Sequence, residues 1–523
     1  MPSIPVSIKH AGKTHQLQLN TDAPATAFKQ DIYQVTGVPT DRMKVMIKGG
    51  ILKDDTDWRK VAPKPNQTFM VIGAAGELPK APEKPVVFLE DMDDTELAEA
   101  LKIPVGLTNL GNTCYMNATV QALRAIPELQ DALKQYTSTG GHQANLTKAM
   151  AQLYDSMERT TEGFPPMHFL SVLRQVVPQF AEVSRQGSVP AQQDAEECWT
   201  QIVNALSVLP GKSADGSSAQ TKFVDQYMVG EMTTELKCLE APDEAPSVSK
   251  EKIMKVACNI SKETNFMTNG IMSSLDQTIE KHSPTLGREA EYSQHSRISR
   301  LPSNLMIHMV RFHWRRDINK KAKIMRKVKF PFELDAMDMV SDDLKRKLAN
   351  ANGKIKEIER ERAERRKVRK KTKAAAAPGT SASTSTATPA AAGEDVTMED
   401  ASKAKAPGEL EDEDVIRQRE LKDFEASIDP DLKGDTGASL TGLFELCAIV
   451  THKGASADSG HYIGFVKKDA FHKPNTYLEE ADQEWYQFDD EKVSIVSQEK
   501  VSTLDGGGES ASAYILLYRE KRL

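Results

Sequence analysis

Residues 106–117 read GLTNLGNTCYMN, a polar, glycine-broken loop running into a helix. Asn112 and Thr113 are capping types, and Met116, Val120 and Leu123 recur beyond them at helical spacing. Cys114 therefore stands at a helix N-terminus, where the positive end of the macrodipole favours a thiolate. Far downstream, Ser459-Gly460-His461-Tyr462 opens an alternating strand, HYIGFVK, and Trp485 to Val493, WYQFDDEKV, is another strand carrying Asp489 and Asp490. Nucleophile, base and orienting carboxylate are the parts of a cysteine hydrolase. Antiparallel pairing of Leu446–Lys453, His461–Lys467 and Trp485–Phe488 would set His461 beside Asp489. In a regular strand Asp490 points to the opposite face, so only one of the two aspartates serves.

These three segments resemble the Cys box and the His/Asp box of the ubiquitin-specific proteases, the cysteine deubiquitinases. The chain between them agrees. Gln192 to Glu197, QQDAEE, is similar to the family's QQDA-x-E helix. Leu301 to Phe312, LPSNLMIHMVRF, and Ser512 to Arg519, SAYILLYR, resemble two of its strands. The resemblance spans about residues 100 to 523. It implies an α+β, papain-like cysteine protease fold with a helical thumb carrying Cys114, a palm carrying His461 and Asp489, and β fingers. It also gives Asp489 the orienting role over Asp490, and assigns Asn109, with the Cys114 backbone N–H, to the developing oxyanion. Gln193, Asp194, Glu197 and Tyr462 are the implied ubiquitin contacts. Asp194 and Glu197 lie three apart on an expected helix over 194–206, an acidic face for the arginine-rich tail of ubiquitin. Many family members carry two CxxC pairs binding zinc in the fingers. Here no CxxC exists, and Cys238 and Cys258 alone cannot complete a tetrahedral thiolate site, so a metal-free fingers region over about 225–300 and no cofactor are expected.

Bulk composition fits. At 523 residues the chain has room for two or more domains, and a net charge of −7 leaves no general basic footprint for nucleic acid. The N-terminus, MPSIPVSIKH, lacks an apolar signal region, and no run is long and apolar enough to span a bilayer. Five scattered cysteines, an odd number, argue against a disulfide framework. A cytoplasmic and nuclear protein is expected.

Ahead of the protease, residues 1–75 alternate strands, a helix over 25–35 and further strands, a β-grasp pattern that resembles ubiquitin-like domains. The spacing turns Val45 and Ile47 inward and Met46 outward. The segment ends Gly73-Ala74-Ala75-Gly76 without a free diglycine, so it reads as a docking or stabilising module rather than a conjugated one. Residues 76–100 follow as a linker, proline-rich over 77–85, with a short helix before the Cys box. The catalytic domain, 101–523, is interrupted at about 340–430 by an insertion, first basic, then Ala/Ser/Thr/Pro-rich, then acidic, expected to be partly helical and then disordered. Its basic run suits a solvated helix, a nucleic-acid contact or a nuclear address. Two polar loops, 314–324 and 454–460, flank the approach to Cys114 and are expected to be mobile.

Within the family, a ubiquitin-like domain and short linker ahead of a zinc-free catalytic domain are similar to its proteasome-associated branch. That implies docking on the 26S proteasome through residues 1–75 and trimming of ubiquitin from substrates held there. The competing readings are a non-catalytic ubiquitin receptor or proteasome scaffold on a protease fold, and a papain-type endopeptidase of broad specificity. Intact Cys114, Asn109, His461 and Asp489 oppose the first, and the QQDA-x-E helix opposes the second.

Overall fold

The computed structural model describes residues 3–48, 50–74, 90, 92–137, 140–183, 190–212, 218–315, 320–375, 413–456, 459–472 and 483–523. The proline-rich linker, residues 376–412 of the insertion and the centres of the two polar loops lie outside the described residues. The chain divides into two compact units, Met1–Asp91 and Met92–Leu523.

The first unit is a mixed five-stranded sheet on a helix. β1 (Ser3–His10) and β2 (Lys13–Asn20) form a hairpin; α1 (Ala25–Thr36), β3 (Lys44–Ile47), β4 (Gly50–Ile51), α2 (Trp58–Val61) and β5 (Gln67–Ile72) follow. The hairpin turns at Ala11 and Gly12, both at positive φ, a backbone whose twist matches that of the paired strands. The sheet order is β2-β1-β5-β3-β4, with β1 and β5 parallel. Period-two alternation sends Val6, Ile8, Val45, Phe69 and Val71 into a core closed by Phe28 and Trp58, whose rings meet edge to face at 5.5 Å. The opposite face leaves Met46, Ile51, Met70 and Ile72 about half exposed.

The second unit opens with α3 (Asp94–Leu101), α4 (Cys114–Leu123), α5 (Pro127–Lys134), α6 (His142–Glu158), α7 (Met167–Val176) and α8 (Ala195–Leu206). The sequence reading put residues up to 100 in the linker. Instead α3 belongs to this unit: Thr161 donates both its backbone N–H and its hydroxyl to Asp94. After a small hairpin, β6 (Pro210–Lys212) and β7 (Ser218–Lys222), and α9 (Phe223–Tyr227) come β8 (Gly230–Cys238), β9 (Ser247–Ile253), β10 (Val256–Asn259), α10 (Met267–Leu275), β11 (Asp276–Ser283) and β12 (Arg288–Arg300). β11, β12, β8 and β9 form a four-stranded antiparallel sheet, the fingers.

The palm adds β13 (Asn304–Val310), β14 (Phe312–Arg315), β15 (Lys320–Lys323), β16 (Glu333–Asp335), α11 (Asp342–Ala375), α12 (Glu413–Ser427), α13 (Pro430–Gly434), β17 (Leu443–Ser456), β18 (Ser459–Lys467), β19 (Glu484–Asp489), β20 (Lys492–Ser497), α14 (Gln498–Ser502) and β21 (Ser512–Glu520). Its main path runs β10-β13-β21-β17-β18-β19-β20. The sheet separates two cores. Along β18, Tyr462, Gly464 and Val466 face α4, while Ile463 and Phe465 face the second core. A Cβ on Gly464 would stand 3.3 Å from the Ala118 carbonyl, so glycine there lets α4 lie close on the sheet.

Two expectations change. The segment 314–324 is no simple loop: β14 and β15 pair as a hairpin whose Ala322 adjoins Ser456 of β17. The start of the insertion is also better packed than its charge suggests. Leu344, Leu348, Ala351, Ile355 and Ile358, at alternating spacings of four and three, are buried in the second core with Phe424 and Ile428. Further along α11, Arg362 and Arg365 meet the buried Glu420 of α12, and Arg369 pairs with Glu413 at 2.7 Å.

Candidate active site

Cys114 is the first residue of α4 and 2% exposed. Thr113 occupies the N-cap position without capping through its side chain; its hydroxyl instead accepts from the Leu110 N–H. Asn112 takes a left-handed turn, φ 52°, and donates to the Pro190 carbonyl. The loop is thus braced crosswise, and the helix N-terminus faces the sheet.

Two groups donate to the Cys114 sulfur: the Gln192 side-chain amide at 3.3 Å and the backbone N–H of Tyr462 at 3.4 Å. His461, beside Tyr462 on β18, is close enough to Cys114 for the thiol to raise its pKa. Its Nε2 lies 2.5 Å from Asp489 Oδ1, at the end of the adjacent strand β19. Contact with Cys114 and then with Asp489 holds the imidazole proton, and the His461 pKa rises to about 9 against the opposing effect of partial burial. A thiol, an imidazole and a carboxylate thus stand in line at a helix N-terminus, an arrangement suited to thiolate attack and proton return.

Asp490 does not point away. The strand ends at Asp489 and Asp490 takes a left-handed conformation, φ 50°, which swings its carboxylate back toward the site. It accepts from Asn109 Nδ2 and Asn117 Nδ2, each at 2.8 Å, and lies 4.0 Å from His461 Nε2. The Leu107 N–H bonds the Asp490 carbonyl at 3.0 Å. Gly106 permits this approach, since a Cβ there would stand 2.5 Å from that carbonyl oxygen. Asn109, the expected oxyanion donor, has one amide N–H engaged by Asp490, while its Oδ1 accepts from the N–H groups of Gly111 and Thr113. The second N–H of that amide is unpartnered among the described residues.

The expected ubiquitin contacts are placed differently from one another. Gln193 is buried and donates to the Gln179 carbonyl, whereas Gln192 meets Cys114; successive side chains of an extended segment alternate, and the alternation selects the first glutamine. Asp194 stands outside the helix as the N-cap of α8, accepting from the Glu196 N–H and, through both oxygens at 2.8 Å, from Tyr514. It shares no solvated face with Glu197, which accepts from Gln179 Nε2 at 2.8 Å. The Tyr462 ring is 1% exposed, so this residue meets Cys114 through its backbone.

Sequence reasoning did not single out Gln192, Asn117 or His452 as site residues. His452 is wholly buried beneath Gly460, its ring 4.9 Å from Tyr462, and burial followed by the nearby Lys323 charge drives its pKa down to about 3. A second histidine adjoining His461 is thus held neutral. In the fingers, Cys238 packs with Ala290 and Tyr292, while Cys258 lies in the second palm core and donates to the Met267 carbonyl.

With this geometry in hand, residues 105–518 match the family described as ubiquitin carboxyl-terminal hydrolase, and residues 6–75 match the ubiquitin family. The chain is similar over nearly its whole length to curated proteins. Ubiquitin carboxyl-terminal hydrolase 6 of Schizosaccharomyces pombe is 41% identical, covering 99% of each chain. Ubiquitin carboxyl-terminal hydrolase 6 of Arabidopsis thaliana is 37% identical over 99% of this chain and 98% of its own. Ubiquitin carboxyl-terminal hydrolase 14 of Caenorhabditis elegans is 29% identical over 99% of this chain and 93% of its own.

Proposed function

The chain belongs to the ubiquitin carboxyl-terminal hydrolase family and is a cysteine-type deubiquitinating peptidase, and from that premise we propose that Cys114 is its nucleophile, His461 its general acid–base and Asp489 the group that orients the imidazole. The observation that carries this reading is the placement of Cys114 at a helix N-terminus against β18, where the Tyr462 N–H meets its sulfur at 3.4 Å, with the neighbouring His461 held by Asp489 at 2.5 Å. The thiolate attacks the carbonyl carbon of the terminal glycine of ubiquitin. A C–S bond forms and the carbonyl electrons move to oxygen, where the Cys114 backbone N–H and the second N–H of Asn109 donate hydrogen bonds. The oxyanion then re-forms the carbonyl and the C–N bond breaks. The leaving amine takes the proton from His461. A water, deprotonated by the now neutral imidazole, hydrolyses the thioester and restores the thiolate.

The substrate tail lies between thumb and palm, with Gln193, Asp194, Glu197 and Tyr462 among its surroundings. Asp194 and Tyr462 contribute chiefly by holding α8 and β18 in place, given their own buried contacts. Residues 1–75 dock the enzyme on the 26S proteasome regulatory particle, where it trims ubiquitin from bound substrates in cytoplasm and nucleus. Support comes from the ubiquitin-family match and from one contiguous apolar face. Met46 stands opposite both Ile51 and Met70, and Ile72 lies two residues along the same face. Hydrolysis of a fluorogenic ubiquitin amide, set against a generic peptide amide, tests the reading. Cleavage of the first alone supports it, cleavage of neither indicates a ubiquitin receptor, and equal cleavage a broad endopeptidase.

A further inference from the structure

Arg124 closes the helix that Cys114 opens, and it is 5% exposed. Its guanidinium carbon lies 4.9 Å from the ring centroid of Phe471 and 5.7 Å from that of Tyr154. The rings stabilise the cation but offer no acceptor to its N–H groups. Its one side-chain hydrogen bond among the described residues runs from Nη1 to Gln121 Oε1 at 3.4 Å, and Nε is enclosed without a partner. No ion pair reaches it among these residues. Glu158, which influences it electrostatically, is paired with Lys134 at 3.1 Å.

Other arginines of the same unit are treated differently. Arg311, fully buried, donates to the carbonyls of Ala513, Asp505 and Arg326 at 2.7–3.0 Å. Arg300 grips both oxygens of Asp435 at 2.7 Å. A buried guanidinium with five donors and one long bond is an incomplete interaction.

Arg124 also lines a cavity of about 480 Å³ between α3, α5, α6 and the turn at Phe471. That volume lies within the range of small-ligand sites. Ile103, Met157 and Phe471 give it an apolar wall, with Lys134 beside them. Glu99 and Glu158 share the lining with Lys102 and Lys134, so these four charges offset one another and the positive charge left over, on Arg124, matches a monoanion better than a dianion such as phosphate. Aromatic rings occupy the neighbourhood of the guanidinium faces, which leaves its edge for a planar, bidentate acceptor.

We propose that this cavity is a carboxylate-binding site, in which the edge of Arg124 holds a monoanionic carboxylate carried on an apolar body. The carboxylate comes either from a free organic acid or from an acidic side chain of a peptide. The site lies at the end of α4 opposite the nucleophile and does not depend on the catalytic assignment.

The test titrates full-length protein with 4-phenylbutyrate by calorimetry, with the neutral 4-phenylbutanamide as control. A parallel arm uses a capped tripeptide with one glutamate between two leucines. We expect saturable one-to-one binding of at least one acid and none of the amide. Arg124→Lys keeps the charge but loses the planar fork and should weaken binding by about tenfold or more. Labelling of Cys114 by a ubiquitin probe reports whether that variant is folded. Should it fail to label, Ile103→Glu decides instead: Ile103 is 55% exposed at the cavity, and a carboxylate there competes for Arg124 with the same expected loss. Binding of phenylbutyrate alone assigns the site to free acids, and of the tripeptide alone to a protein partner. Absence of binding by both, equal binding of acid and amide, or undiminished binding by the deciding variant overturns the proposal.

Discussion

Asp489 and Asp490 are neighbours in the chain and serve opposite sides of the cleft. Asp489 meets His461 on the palm at 2.5 Å, while Asp490 meets Asn109 and Asn117 of the Cys114 segment at 2.8 Å. One turn therefore ties His461 to Asp489 and the palm to the Cys114 loop.

The two aspartates should separate in mutagenesis. Asp490→Ala removes the shortest bond of the Asn117 amide, which is 3% exposed, leaving it the Leu107 and Thr108 carbonyls at 3.2 and 3.4 Å, and also releases the Asn109 amide; it should cost about 1–3 kcal/mol in urea unfolding. Asp489→Ala removes a carboxylate that is 39% exposed. Its stability should change little, while kcat/KM for a ubiquitin amide should fall by roughly 10² or more. Equal stability losses would contradict this division.

His461 should shape the alkaline side of the rate profile. With its pKa raised to about 9, the imidazolium that protonates the leaving amine persists through neutral pH and is lost as pH climbs through that value. The contact with Cys114 and then that with Asp489 raise it, so the alkaline limb should shift to lower pH in Asp489→Asn. The same shift adds stability that is fully present below the unfolded histidine value and fades as pH rises through about 9. An unmoved limb in the variant would show that Asp489 does not support the charge.

Arg311 should be a structural keystone. Substitution by Met removes the side-chain donor from the carbonyls of Ala513 and Arg326, and leaves that of Asp505 with the Val328 N–H alone, where β13, β21 and the chain before β16 converge. A loss of about 2–5 kcal/mol is expected by chemical denaturation, from two buried acceptors left unsatisfied at about 1–3 kcal/mol each. A loss below about 1 kcal/mol would mean that backbone rearrangement satisfies those carbonyls.

For the first unit, Met70→Glu places a charge at the centre of the apolar face without touching its core. Proteasome binding should weaken by about tenfold or more, with hydrolysis by the free enzyme unchanged. Unchanged proteasome binding would move the docking surface elsewhere.

Much of this site was legible because its chemistry is written in short contiguous segments: the Cys114 loop and helix, the His461 strand and the Asp489 strand. What was not legible depended on the third dimension. Strand alternation assigned Asp490 to the far face, but a left-handed residue at the strand end reversed it. QQDA was readable as a motif, yet which glutamine meets Cys114 depends on the phase of the segment before α8, and Asp194 caps that helix rather than riding on it. In α11, five buried apolar residues at helical spacing are diluted by lysine, arginine and glutamate, so average composition concealed a packed face. Arg124 carries no motif, and the cavity it lines is marked by an unsatisfied guanidinium that only the folded chain creates.

The central claim is nucleophilic catalysis by Cys114, and ubiquitin bearing a C-terminal electrophile tests it most directly. Four other cysteines are present and all are buried, with burial pushing the Cys258 and Cys447 thiols up to about 12. Mass-spectrometric mapping should find one ubiquitin adduct per chain, on Cys114, and none in Cys114→Ala. An adduct on any other cysteine of the native protein, or labelling that survives in Cys114→Ala, would contradict the account.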